Sequence, residues 1–266
     1  MVKIPKWRFI DTGSASAAWN MAVDEALLYS RREGDLPILR LYAWTPSLSI
    51  GRYSKTQEGV DTARLAEAGI AAVRRITGGG ILVHGGDLSY ALIVPRGFAG
   101  GRGVKESYRF LCGFLIRLYE RLGLEAAFAR DLRLEASHSA LCLAGREAYD
   151  IVIAGKKMGG NAQRYARHAL LQHGSIPLRL EPGRFEPLFC GPSGLENAAS
   201  LERLGIRLTE NALKEELLEA FGDAFETEVA ADGLRPEEEA YAQMLQRRKY
   251  EQEAWNFHAK DPFSQT

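Results

Sequence analysis

Cys142 stands in an irregular polar stretch, DLRLEASHSALCLAGREA, on no apolar helical stripe and in no metal-binding spacing. A thiol so placed can be exposed and activated. Its thiolate is a strong nucleophile even at the small fraction present near neutral pH, and a neighbouring ammonium group would raise that fraction. Lys156 and Lys157 follow one short β-like run later, YDIVIAG. If the loop folds back over that run, one of the two lysines would sit beside the sulfur, lower its pKa and shuttle protons as general acid and base. The competing reading is a bystander thiol and a solvated lysine turn.

Two glycine-rich units could hold what such a nucleophile attacks. The first is RRITGGGILVHGGDLSYALIVP from Arg74 to Pro95, and the second is GKKMGGNAQRYARHALLQHGSIP from Gly155 to Pro177. Gly78, Gly79 and Gly80 free the backbone for positive φ and let its amides approach a ligand with no Cβ in the way. His84 and His173 each precede a glycine, where the missing Cβ lets an imidazole or a carbonyl face a cavity. Aliphatic walls from Ile81, Val83, Leu170 and Leu171 would complete a narrow apolar slot suited to a linear acyl chain.

Other chemistries find little support. The chain has no GxSxG elbow, no Walker loop and no His, Cys or carboxylate set at metal spacing, so no metal is expected. Cys112 lies on the apolar stripe of a predicted helix from Lys105 to Leu122 and reads as a small buried hydrophobe. With Cys190 the cysteines number three, an odd set that points to free thiols in a reducing compartment. Thirty-four basic residues balance thirty-four acidic ones over 266 residues, so no overall field draws nucleic acid. No run is long and apolar enough to span a bilayer, and MVKIPKWRFIDTG lacks a leader's apolar core. A cytoplasmic protein is expected.

The elements that must position these groups alternate between strands and helices. Trp7 to Asp11 reads as a strand, Ser14 or Ser16 as the cap of an amphipathic helix, and ILRLYAW and SLSIGRY as neighbouring strands. A helix near Val60 to Ala68 leads to the first glycine turn, and a second glycine turn at Gly155 to Lys157 precedes the strand ALLQHGSIPL. Thr209 caps a helix, and another runs from the acidic Glu237 to about Tyr250. With no linker to divide it, the chain reads as one α/β (α+β) domain over residues 1–266, in which a helical segment from about residue 235 packs on the body.

WRFIDTGSASAAWNMAVDEALL, RRITGGGILVHGGDLSYALIV, GKKMGGNAQ and LLQHGSIPL, in this order, resemble the lipoate-protein ligase and octanoyltransferase family of the biotin ligase superfamily. The likeness spans nearly the whole chain and is nearest the LipM-type octanoyltransferase branch, where a cysteine stands shortly before a Tyr-acidic pair, here Tyr149 and Asp150. It implies a central mixed β-sheet flanked by helices, and an acyl thioester formed on Cys142 with Lys157 contacting the acyl carbonyl. Substrate binding would fall to Arg75, Gly78, Gly79, Gly80, His84, Gly160, Asn161, Gln163, His173 and Gly174.

The implied donor is octanoyl-acyl carrier protein and the implied acceptor a lysine of a lipoyl domain such as the glycine-cleavage H protein. The enzyme would act as a monomer, without a cofactor. An ATP- and Mg-dependent lipoate ligase is the alternative within the family. A catalytically silent acyl or lipoyl-domain binding protein is the alternative outside it.

Overall fold

The computed structural model describes residues 4–55, 59–99, 103–134 and 147–264. The elements are β1 (Lys6–Ala15), α1 (Ala17–Ser30), β2 (Ile38–Trp44), β3 (Ser47–Ile50), α2 (Thr62–Glu67), β4 (Ala71–Arg74), β5 (Ile81–His84), β6 (Asp87–Pro95), α3 (Val104–Leu111), α4 (Gly113–Arg121), β7 (Ala126–Phe128), β8 (Ile151–Ile153), β9 (Lys156–Lys157), β10 (Gly160–Tyr165), β11 (Ala169–Pro177), α5 (Pro182–Phe185), α6 (Glu210–Phe225), β12 (Glu228–Asp232), α7 (Pro236–Leu245) and α8 (Glu253–Asn256). Six strands form the main sheet in the order β10-β11-β6-β2-β1-β12. It is mixed, as expected: β1 runs parallel to β2 and β12, and the remaining neighbours are antiparallel.

The strands of this sheet read as continuous apolar runs because both faces are covered. Along β2 the period of two sends Leu39 and Leu41 to one layer, with Trp7, Phe114, Leu217 and Phe221, and sends Ile38 and Tyr42 to the other, with Leu27, Leu28 and Leu245. Helices α4 and α6 cover the first face, and α1 and α7 the second. Each large aliphatic side chain buried here contributes about 1.5–3 kcal/mol. Ser16 caps α1 by accepting from Trp19 N, and Thr209 caps α6 by accepting from Ala212 N, both as the sequence predicts.

Four local expectations change. β2 and β3 are not partners: both edges of β2 are taken by β1 and β6, and the Thr45-Pro46 turn sends β3 into a second sheet ordered β4-β3-β5. The predicted Lys105–Leu122 helix is broken into α3 and α4 at Cys112, where ψ is −4° and Gly113 weakens helix continuity. The apolar stripe survives the break, with Leu111, Cys112, Leu115 and Leu118 all buried.

Lys156 and Lys157 do not form a turn. Ala154 (φ 49°) and Gly155 (φ 76°) supply the positive-φ pair that a two-residue hairpin needs, and the lysines begin the returning strand β9. Alternation then exposes Lys156 and buries Lys157. Finally, α7 ends at Leu245 and passes into one wide π turn, Gln246–Tyr250, before α8 delivers Trp255 to the core.

Candidate active site

The two glycine units meet across one cleft. Its empty space is about 360 Å³, part of it open to solvent. Arg75, Gly78, Gly79 and His84 line it from the first unit, and Gly160, Asn161, His173 and Gly174 from the second. The antiparallel pairing of β10 and β11 sets Asn161 opposite Gly174, and a Cβ on Gly174 would fall 2.0 Å from Asn161 Oδ1. That side chain occupies the space instead and accepts from Tyr90 Oη at 2.8 Å.

Gly80 and Gln163 do not line the cleft. The Gly80 carbonyl accepts from Arg75 Nη2 at 3.0 Å, so its part is to hold the turn. Gln163 donates to Gln172 Oε1 at 2.8 Å. The expected aliphatic walls are also corrected. Ile81 and Val83 point to the far side of β5, into the small sheet's core with Leu48 and Ile50, while Leu82 between them lines the cleft. Leu170 and Leu171 are absorbed by the two core layers of the main sheet, and the other apolar surfaces of the cleft come from Met21, Tyr42 and Trp44.

Each histidine is locked by a hydroxyl on one nitrogen and a buried carboxylate on the other. Ser49 Oγ lies 2.7 Å from His84 Nε2, and His84 Nδ1 lies 2.8 Å from Asp87 Oδ2. Thr77 Oγ1 lies 2.7 Å from His173 Nε2, and His173 Nδ1 lies 2.8 Å from Asp24 Oδ2. An ionised carboxylate only accepts, so in both rings Nδ1 carries the proton and, in the neutral imidazole, Nε2 accepts from the hydroxyl. Ser49 is nonetheless no nucleophile of a triad. It is fully buried, and its Oγ also accepts from Arg75 Nη1 at 2.7 Å.

Burial by itself would raise the Asp24 carboxyl, but the Arg40 guanidinium and His173 outweigh it and hold Asp24 below the usual carboxylate range. Burial likewise works against ionised Asp87, and His84 and Ser175 overcome it. His173 is pushed below its ordinary value by burial, more than Asp24 restores. Trp44 stacks on His84 with ring centroids 4.0 Å apart, closing that side of the cleft.

Lys157 is 8% exposed, and its Nζ lies 2.7 Å from Asp150 Oδ2. Asp150 also accepts from Glu147 N at 2.7 Å, which ties the hairpin strand to the chain just before it. Cys142 lies outside the described residues, as does most of its loop. Of the other thiols, Cys112 is fully buried and raised by that burial, the inert thiol that its stripe predicts, while Cys190 is exposed. Among the described residues no group of three or more His, Cys, Asp or Glu side chains could hold a metal ion, and no helix is long and apolar enough to cross a membrane.

Sequence reasoning passed over Asp24, Arg40, Ser49, Thr77 and Trp44. One signal was present: Asp24 and Glu25 interrupt an otherwise apolar helical run, AVDEALL, and acidic groups in such a run must be paired.

A mixed sheet whose paired glycine turns frame one cleft is the arrangement of a lipoyl-ligase type of catalytic domain. The model of the lipoyl protein ligase A/B catalytic domain matches residues 16–222, and the chain belongs to this family. Octanoyltransferase LipM of Kyrpidia tusciae is 37% identical, over 94% of this chain and 98% of its own. The protein of the same name from Anoxybacillus flavithermus is 35% identical over the same shares. A crystal structure of lipoate-protein ligase A bound with ATP superposes with a TM-score of 0.81 at 24% identity, covering 95% of this chain and 98% of that one, which bears out the fold.

Proposed function

We propose that this chain is an octanoyltransferase of protein lipoylation, working as one catalytic unit through an acyl-enzyme on Cys142. The octanoyl donor is a thioester on the phosphopantetheine arm of acyl carrier protein, and the acceptor is a lysine of a lipoyl domain such as the glycine-cleavage H protein. The observation that carries the reading is the similarity to octanoyltransferases along almost the entire chain. The cleft between the two glycine units supports it.

In the first step the Cys142 thiolate attacks the donor carbonyl, and backbone amides at the glycine turn stabilise the oxyanion. Collapse breaks the carbonyl–sulfur bond to the carrier arm, whose thiolate leaves and takes up a proton. In the second step the neutral amine of the acceptor lysine attacks the acyl-enzyme, gives up a proton and expels the Cys142 thiolate, which leaves a stable amide. Lys157 contacts the acyl carbonyl and carries the proton between these groups. Thioester to amide runs downhill, so the reaction requires positioning and no ATP. The enzyme acts as a monomer in the cytoplasm.

The test is the intact mass of wild type and of Cys142→Ala after incubation with octanoyl-carrier protein and no ATP. A hydroxylamine-labile octanoyl adduct on wild type alone is the expected result. No adduct, with ATP-dependent modification of a lipoyl domain by both proteins, would make the chain a ligase. Failure of both reactions would leave an acyl or lipoyl-domain binding protein.

A further inference from the structure

We infer that residues 246–261, which lie beyond the matched catalytic-domain residues 16–222, brace the glycine turn and so set the width of the acyl cleft, with Ser54 and Asn256 as positioning residues. The inference rests on reading the cleft as the acyl site. The brace is centred on Arg74, which is fully buried. Its Nε donates to the carbonyls of Trp255 and Asn256, both at 3.1 Å, and its Nη1 donates to those of Gly51, Arg52 and Ser54 at 2.9, 3.1 and 2.9 Å. Its backbone is clasped as well: Arg74 N donates to Asn256 Oδ1 at 3.0 Å, and Trp255 Nε1 donates to the Arg74 carbonyl at 2.9 Å. One side chain therefore holds the carboxy-terminal segment and the Gly51–Ser54 turn together.

That turn in turn holds the glycine loop. Gly51 N donates to the Gly80 carbonyl at 3.1 Å, Arg52 N to the Thr77 carbonyl at 2.8 Å, and Ser54 Oγ to the Gly79 carbonyl at 2.9 Å. The two loops touch so closely that a Cβ on Gly51 would fall 1.8 Å from the Gly79 oxygen. Outside them, the Arg52 guanidinium lies 4.5 Å from the centre of the Trp255 ring and donates to Asp261 Oδ2 at 3.2 Å. Asp261 also accepts from Lys249 Nζ at 3.0 Å, and Lys249 reaches Glu25 of α1 at 2.9 Å. Gly78 and Gly79 line the cleft, so a shift of the brace moves its wall.

The experiment compares wild type with Ser54→Ala, Ser54→Thr, Asn256→Ala and the Ser54→Ala/Asn256→Ala double variant. It reads steady-state octanoyl transfer, hydrogen exchange of the Gly51 and Arg52 amides that donate to the glycine loop, and the thermal midpoint. Losing one link should raise KM for the octanoyl donor about 3- to 10-fold with kcat nearly unchanged. Ser54→Thr, which keeps the hydroxyl, should recover wild-type KM. The double variant should lose less than the product of the single effects, because both links act through one turn. The Gly51 and Arg52 amides should exchange faster in each Ala variant.

Unchanged KM and unchanged exchange in folded variants would overturn the inference, as would effects that multiply or that track only the fraction folded. If Asn256→Ala does not fold, Arg52→Ala, which removes the outer contacts to Trp255 and Asp261, takes its place. If wild type transfers no octanoyl group, the functional reading falls, and exchange at Gly51 and Arg52 still decides the brace.

Discussion

His173 Nδ1 donates to Asp24 Oδ2 at 2.8 Å, joining two residues 149 positions apart in the chain. Asp24 is the hub of that side of the cleft. It also accepts from Arg40 Nη1 at 2.6 Å and from Tyr42 Oη at 3.0 Å. Through His173 it reaches Thr77, the residue that opens the glycine turn.

This relay makes stability depend on pH. Burial holds His173 below its ordinary value of 6.5, so below about pH 6.5 the unfolded chain binds a proton that the folded one refuses. The contribution is complete above that pH and is lost as pH falls through it. Asp24, depressed in the folded state, adds a second loss below its ordinary 3.8. Urea midpoints measured from pH 8 to pH 5 should fall on the acid side, and His173→Gln should flatten the slope near pH 6. A slope that His173→Gln leaves intact would place the titrating group elsewhere.

Asp24→Ala should cost about 3–5 kcal/mol, since it strands the fully buried Arg40 without its counter-charge. Replacement of both partners by apolar residues of similar volume should cost far less. Chemical denaturation of the single and double variants measures the difference.

Gly159→Ala should destabilise by about 2 kcal/mol or more. The residue has φ of +72°, and a Cβ there would lie 1.9 Å from the Ser175 carbonyl oxygen. Gly69→Ala is the matched control, with φ +62° and nothing within 4 Å of its Cβ. It should show only the backbone strain, and equal losses in the two would mean that β11 can yield.

Lys157→Ala should reduce octanoyl transfer about 100-fold or more, the scale of a lost general acid and base, and Lys156→Ala should leave it near wild type. The basis is their opposite burial on β9, with Lys157 against Asp150 and Lys156 in solvent. Single-turnover rates of deacylation to a lipoyl domain provide the comparison.

That the two glycine units and their histidines would face one cleft was legible, because each unit rests on a local rule, a turn that needs glycine. Lys157 was singled out by the family resemblance alone, since the lysine pair reads as part of the turn and alternation on β9 separates the two only once the hairpin is placed. Placement was not legible. Ile81 and Val83 were assigned to the cleft and Leu82 was not, because alternation fixes which residues share a face but not which face meets the ligand. Asp24, Ser49 and Thr77 join the site only through contacts between elements far apart in the chain, and no spacing encodes those. The separation of β2 from β3 escaped for the same reason: a turn at Pro46 is readable, but the occupancy of both β2 edges by β1 and β6 is a property of the whole sheet.

The position of β1 between β2 and β12 also bears on how the protein is made. Trp7, at the start of β1, finishes its aromatic cage only with Phe221 and Phe225, and Arg8 finds its carboxylates only at Asp232 and Glu238. During translation, therefore, β1 leaves the ribosome well before β12 and waits with one edge unpaired until Asp232, 224 positions beyond Arg8, has been made. A nascent chain stalled before α6 presents an adhesive edge to its neighbours. Chaperone capture of β1 should end when β12 emerges.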